Sequence, residues 1–351
     1  MKIEHRTLAR LPRGYSITPV AGTESDGLPA FLAGSEGDSG LLLFERPDFK
    51  PIAIAREPGG FISAATLTRH GRRFAVSSTL FKPGFNAAES SLWLYPLDRG
   101  ECPQPSFVAR VPFAHRVTAL HHADRDLLFV STLCAGKSDR DDWTQPGGIH
   151  LLTAPGDLCA PWQARQIVTG LSKNHGMDFA RLGHEQRPGY LLSAMEGLFF
   201  MPVPKDPDGA WPVERIFDGE SSDAFAFDWD RDGEPEVFSI SPFHGNVLAI
   251  HKRSGDAWRR VVIHDDLALG HVVWAGNLLG GPALLAGSRR ERRELRLYRP
   301  DRDGRVDPGY TLIDEGIGPS QISVFPLGSN RAVLYVAAHG VDEVRIYELA
   351  G

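Results

Sequence analysis

Residues 223–264 read DAFAFDWDRDGEPEVFSISPFHGNVLAIHKRSGDAWRRVVIH. Four short apolar runs lie in this stretch: Asp223–Asp228, Pro235–Ile240, Asn246–His251 and Trp258–His264. Each has the length of a strand. Between them stand Asp, Gly, Pro, Asn and Ser, residues that open or close turns. The stretch therefore predicts strand, loop, strand, turn, strand, loop, strand.

The same plan starts at Tyr15, Phe61, His115, His175, Asp223, His271 and Gln321, with gaps of 46, 54, 60, 48, 48 and 50 residues. Repeats of this length with four strands each are the signature of propeller blades. The outer strands also resemble one another: Pro51–Arg56, Ser106–Arg110, Gln166–Thr169, Glu214–Phe217, Arg260–His264 and Tyr310–Asp314. From Gln321 there is room for only three strands, ending at Tyr347–Leu349. The segment Lys2–Arg10 reads as the missing fourth. It would close the ring and remove an open sheet edge. The expected fold is all-β: one seven-bladed β-propeller domain over residues 1–351, four antiparallel strands per blade. A 3.6-residue periodicity is nowhere sustained over three turns, which excludes a helical domain.

Composition agrees. Of 351 residues, 37 are Gly and 26 are Pro, spread along the chain as many short turns require. The net charge of −6, with no basic block, argues against a nucleic-acid partner. No stretch approaches the length of a membrane span. The start, Met1-Lys-Ile-Glu-His-Arg6, carries no apolar signal-type run, so a cytoplasmic protein is expected. Cys102, Cys134 and Cys159 have no metal-binding spacing and are expected to be reduced structural thiols.

In a propeller, the residues that open the innermost strands meet the loops between second and third strands on one face. The first set here is Tyr15, Phe61, His115, His175, Asp223, His271 and Gln321. The second is Glu36, Lys82, Lys137, Asp142, Trp143, Glu196, His244, Arg289, Arg290 and His339. Three histidines in the first set, His115, His175 and His271, make a candidate zinc site, with Asp223 as a fourth ligand or an acceptor behind the ligands. The alternative is three channel histidines hydrogen-bonded to water.

A second candidate site is Asp228-Trp-Asp230-Arg-Asp232-Gly233-Glu-Pro-Glu236. Alternate Asp residues, a turn Gly and a later acid suit calcium. They equally suit a metal-free turn whose carboxylates cap backbone amides. This turn is expected on the face opposite the histidines.

The acidic turn between two strands resembles the FG-GAP or VCBS repeats of integrin-like propellers. More narrowly, Thr132-Leu-Cys134-Ala-Gly-Lys137 with Asp141-Asp142-Trp143-Thr-Gln-Pro146-Gly147-Gly148 resembles the propeller part of aldos-2-ulose dehydratases. Pro242-Phe243-His244-Gly245 and Gly270-His271-Val-Val-Trp274 are similar to other blades of that group. The resemblance implies a zinc ion acting as Lewis acid in the dehydration of 1,5-anhydro-D-fructose or a related keto sugar. The zinc-ligand role carries over to His115, His175 and His271 by blade position. The chain has no room for the cupin or lectin domains of the fungal enzymes, so a second, cupin-based step is not expected.

For such an elimination the proton acceptor is expected among His244, His339 and Glu196. Lys137, Arg289 and Arg290 are expected to orient the sugar or balance charge. The expected activity is thus a zinc-dependent carbon–oxygen lyase on a small carbohydrate. A propeller-type polysaccharide or oligosaccharide lyase and a non-catalytic carbohydrate- or partner-binding propeller are the competing readings, because the fold hosts all three.

Overall fold

The computed structural model describes every residue except 24–26, 83 and 99–103. Its strands form seven four-stranded antiparallel sheets arranged as blades around a central channel. Innermost strands of successive blades touch, and that of the last blade touches that of the first. The seventh sheet takes Pro319–Pro326, Arg331–Ala338 and Glu343–Ala350 from the end of the chain and Lys2–Arg10 from its start. Pairing runs from Lys2 opposite Ala350 to Arg10 opposite Glu343, so the ring closes as expected.

Residues 223–264 form the fifth blade as Asp223–Phe227, Glu236–Ser241, Val247–Ser254 and Ala257–His264. Second strands such as Pro29–Ser35 and Glu236–Ser241 are buried along their whole length, because neighbouring blades cover both faces. Outer strands such as Lys50–Ala55 are largely exposed.

The core lies between the blades rather than within them. Seven apolar clusters fill the seven junctions. At the closing junction Phe31 of the first blade stacks on Tyr335 of the seventh, with centroids 4.3 Å apart. The Tyr335 hydroxyl donates to the Pro29 carbonyl at 3.0 Å, so the buried phenol is satisfied.

Two details depart from expectation. The second blade starts at Ala64, not at Phe61. Phe61 is fully buried and packs edge-on against Tyr95, filling the junction with the first blade instead of facing the channel. Cys134 is a free buried thiol, but Cys159 is disulfide-bonded rather than reduced. Cys102 lies outside the described residues. No helix among the described residues is long and apolar enough to cross a membrane.

A candidate metal centre at the channel mouth

Tyr15, His115 and His271 each sit at a register shift in their innermost strand: between Gly14 and Ser16, Ala114 and Arg116, Gly270 and Val272. A bulge there leaves one residue unpaired and re-aims its side chain, here toward the axis. His175 reaches the same level just ahead of Gly176–Leu182.

The imidazoles are fixed by carbonyls of the following blade. His115 Nδ1 lies 3.1 Å from the His175 oxygen, His175 Nδ1 3.1 Å from the Ser222 oxygen, and His271 Nδ1 2.8 Å from the Ser320 oxygen. A carbonyl can only accept, so each Nδ1 carries the proton and each Nε2 presents a lone pair. All three Nε2 atoms converge on the Tyr15 hydroxyl, at 3.2 Å for His115, 3.3 Å for His175 and 3.0 Å for His271.

His244 completes the cluster from the loop after Glu236–Ser241. Its Nε2 is 3.3 Å from that of His175, and its ring stacks on Phe243. Ligand atoms of His175, His244 and His271 lie within 4.8 Å of one another. The phenol and His244 Nε2 together offer at most two protons to three buried lone pairs. One Nε2 is thus left facing oxygen lone pairs, a costly arrangement in a dry site. A divalent cation accepting those lone pairs removes the conflict, so the donor set could hold a divalent metal.

Burial first, and then the neighbouring imidazoles and the Arg116 and Arg289 guanidinium groups, hold His115, His175 and His271 well below the usual imidazole range. Burial and then Arg289, Arg116 and Arg290 push His244 down to about 3. All four are neutral near pH 7, the form that binds metal. Burial also pushes the Tyr15 phenol up to about 12.

The carbonyl pattern sets the register. Ser222 and Ser320, not Asp223 and Gln321, stand level with the histidines. The expected positions are off by one residue in these two blades. Asp223 Oδ2 lies 3.7 Å from His175 Nδ1, on the side away from the converging Nε2 atoms, and accepts from Arg116 at 3.4 Å. Below it the Asp178 and Asp223 carboxyls share a hydrogen bond. Burial raises both, and Asp223 reaches about 7. They line a channel cavity of about 380 Å³ beneath the histidine layer.

Two walls rise above the cluster. On one, Glu36 Oε1 accepts from Arg13 and from His339 Nε2, both at 2.9 Å. Burial works to raise the Glu36 carboxyl, but these bonds and Arg289 hold it at about 2. Arg289 lies over the Tyr15 ring, 5.4 Å from its centroid. The other wall is aromatic. Phe85 and Phe243 each pack edge to face against Trp143 and lie tilted to one another, and the Lys137 ammonium stands 3.7 Å above Trp143.

Asp142 caps its own loop, accepting from Ser138 and Thr144. Glu196 accepts from the Ser172 amide at 2.8 Å and anchors the rim. Lys82 bridges to Asn86 within its loop. Arg290 is exposed.

Sequence reasoning placed Tyr15 at the channel without giving it a role, although it opens its blade as the histidines do. Arg116, Asp178, Phe85 and Ser222 carried no signal of their own.

The acidic turn lies elsewhere. Asp228, Asp230 and Glu236 come close enough to hold a cation. The Lys252 ammonium reaches into this group, contacting Asp230 and lying 3.0 Å from Asp232 and 3.2 Å from Glu236. Asp228, Asp232 and Glu236 also accept from the amides of Gly233, Glu234 and Trp229.

No protein-family model and no curated protein matches this chain. Among solved structures, U3-55K is similar over 98% of both chains at 12% identity, with a TM-score of 0.54. A proposed 6-phosphogluconolactonase from Bacteroides uniformis aligns over 95% of this chain and 94% of its own at 10% identity, with a TM-score of 0.49. The first supports the propeller fold and nothing finer. Neither carries the FG-GAP or dehydratase resemblance, which rests on the quoted motifs alone.

Proposed function

We propose that this propeller is a metal-dependent carbon–oxygen lyase acting on a keto sugar such as 1,5-anhydrofructose. The observation that carries the reading is the convergence of three carbonyl-fixed, neutral imidazoles on one point. His115, His175 and His271 would hold the metal. In each, the far nitrogen donates to a backbone carbonyl, which is how metal-binding histidines are oriented. A bound zinc supplies Lewis acidity toward a sugar carbonyl, which acidifies the adjacent C–H bond.

His244 lacks such a carbonyl anchor among the described contacts. It is neutral near pH 7, and in this reading it would take the proton at a ring nitrogen. Tyr15 holds its proton at neutral pH and is a donor for a departing hydroxyl. His339 is paired with Glu36, and Glu196 with Ser172, so neither is given the base's role. The aromatic wall of Phe85, Trp143 and Phe243 offers a face for a sugar ring and keeps water from it. Calcium at Asp228, Asp230, Asp232 and Glu236 is a separate, structural reading, in which the ion must displace the Lys252 ammonium.

The test is elemental analysis of purified protein together with an elimination assay on 1,5-anhydrofructose, followed by ultraviolet absorbance of the conjugated product. One zinc per chain, lost in His175→Ala along with product formation, is the expected result. Protein that takes up no divalent metal at this cluster overturns the reading.

A further inference from the structure

We propose that Glu36 and Arg289 together form a hydroxyl-recognition pair at the channel mouth, which selects neutral, polyhydroxylated sugars over acidic ones. The proposal names the substrate class of the site above and rests on the histidine cluster being the reaction centre.

Glu36 is a carboxylate with one oxygen filled and the other open. Its Oε1 accepts from Arg13 Nη2 and His339 Nε2, both at 2.9 Å, and from Arg13 Nε at 3.3 Å. Oε2 accepts no hydrogen bond among the described residues, yet it is not sealed from solvent. An ionised carboxylate offers lone pairs on both oxygens, so those of Oε2 remain for a ligand. Against the effect of burial, His339, Arg13 and Arg289 hold the group at about 2, so it is an acceptor and not a donor.

Arg289 is the complementary half. Its side chain is 15% exposed, and among the described residues its guanidinium makes no hydrogen bond. Its Nη2 stands 4.0 Å from Glu36 Oε1, too far for a hydrogen bond. An unfilled donor therefore lies beside an unfilled acceptor. A hydroxyl serves both, because it accepts and donates at once. A carboxylate bound to Arg289 would set its own lone pairs against Glu36, and an ammonium bound to Glu36 would stand against Arg289. Like charges in such positions discriminate against both ions and leave the neutral polyol.

Both halves are held in place. The Glu36 amide donates to the Arg13 carbonyl at 3.0 Å, and the Arg13 amide to Asp342 Oδ1 at 2.8 Å, which ties the acid to the closing blade. The Arg289 amide donates to the Leu269 carbonyl at 2.9 Å, and its guanidinium lies 5.4 Å from the centroid of the Tyr15 ring. The hydroxyl of that ring is the point on which the three Nε2 atoms converge. The pair and the cluster thus flank one space, with the aromatic wall as its other side. A sugar ring has a C–H face and a hydroxyl edge. The aromatic rings suit the first, and Glu36 with Arg289 suits the second. Groups fixed in this way lose little freedom when a ligand arrives.

The experiment is calorimetric binding of 1,5-anhydro-D-glucitol, a neutral polyol with no carbonyl to react, and of D-glucuronate to the full chain, with and without zinc. Wild type should bind the polyol more tightly than the acid. Glu36→Gln keeps the shape and removes the charge. It should weaken the polyol by roughly 10- to 100-fold, the worth of a hydrogen bond to a charged group, and tighten glucuronate. Opposite shifts for two ligands do not arise from a loosened fold. Arg289→Met should also weaken the polyol while leaving the circular dichroism spectrum unchanged. Wild type that binds no polyol, or binds glucuronate at least as tightly, overturns the proposal. Parallel weakening of both ligands in Glu36→Gln marks a structural role and overturns it too. If zinc fails to bind while Glu36-dependent polyol binding persists, the lyase reading falls and the pair stands. If zinc binds but polyol binding is indifferent to Glu36→Gln, the pair alone falls.

Discussion

His115 Nδ1 donates to the backbone carbonyl of His175, 3.1 Å away in the next blade. One imidazole is thereby oriented by the residue that carries the second, and the same contact recurs from His175 to Ser222 and from His271 to Ser320. The relay fixes tautomer and ring plane together. A cluster built this way is held in place by the backbone of the ring itself.

Single alanine substitutions should therefore divide the four histidines. His115→Ala, His175→Ala and His271→Ala are expected to lower zinc affinity by at least about 10- to 100-fold, the range seen when metal-site partners are lost. His244→Ala should keep zinc near the wild-type level and lose elimination. Titration with zinc by calorimetry checks this, and loss of zinc in His244→Ala would move that residue into the ligand set.

Tyr15→Phe removes a proton that satisfies one of three buried Nε2 atoms. Metal-free protein should lose about 1–3 kcal/mol, the cost of an unsatisfied buried acceptor. Zinc-loaded protein should lose little, since the lone pairs are then engaged. Denaturant melts with and without zinc measure the difference.

Acid should weaken the metal-free fold early. The buried imidazoles titrate well below their usual value of 6.5, with His244 at about 3. As pH falls through 6.5 the unfolded chain takes up protons that the folded chain refuses. Their contribution is full above about pH 6.5 and declines below it, by up to about 1.4 kcal/mol per pH unit for each imidazole. Glu36, held at about 2 against an ordinary 4.5, adds a second window in which stability is lost from 4.5 downward. Unfolding midpoints should hold between about pH 7.5 and about pH 6.5 and fall from there to about pH 5. A flat profile there would mean the imidazoles are not buried as neutral groups.

Calcium should leave the melting temperature of the wild type unchanged, because Lys252 already supplies a positive charge to Asp230, Asp232 and Glu236. Lys252→Met should be less stable without calcium and should recover with it through mass action. Thermal melts in chelator and in excess calcium separate these outcomes.

Deleting residues 2–10 strips the outer strand from Glu343–Ala350 and bares a sheet edge. The truncated chain should melt earlier and self-associate, seen by light scattering. Unaltered melting would mean that ring closure contributes little.

The blades were legible because strand patterning is local. In residues 223–264 the apolar runs and turn residues sit a few positions apart, and all four strands fall within a few residues of where they were expected. The outer-strand role of Lys2–Arg10 followed by counting, since six complete repeats leave a seventh one strand short. Phe61 was misplaced because an aromatic residue ahead of a strand suits a channel and a blade junction equally. Only packing against Tyr95 decides between them.

The site was legible in part, for a related reason. Repeat position alone brought His115, His175 and His271 to one end of the channel. Their sequence could not say that bulges at Tyr15, His115 and His271 turn the side chains to a common point, or that Ser222 rather than Asp223 lies level with them. Those outcomes depend on how each innermost strand pairs with its neighbour and on carbonyls contributed by the next blade. The sequence by itself determined seven blades, their closure and which blades carry histidine. The tertiary structure decided which nitrogens meet, which carboxylates are already taken by Arg13, Arg116 and Lys252, and that Arg289 is left open. Periodicity is a property of neighbours along the chain, whereas convergence and charge pairing exist only once the ring has closed.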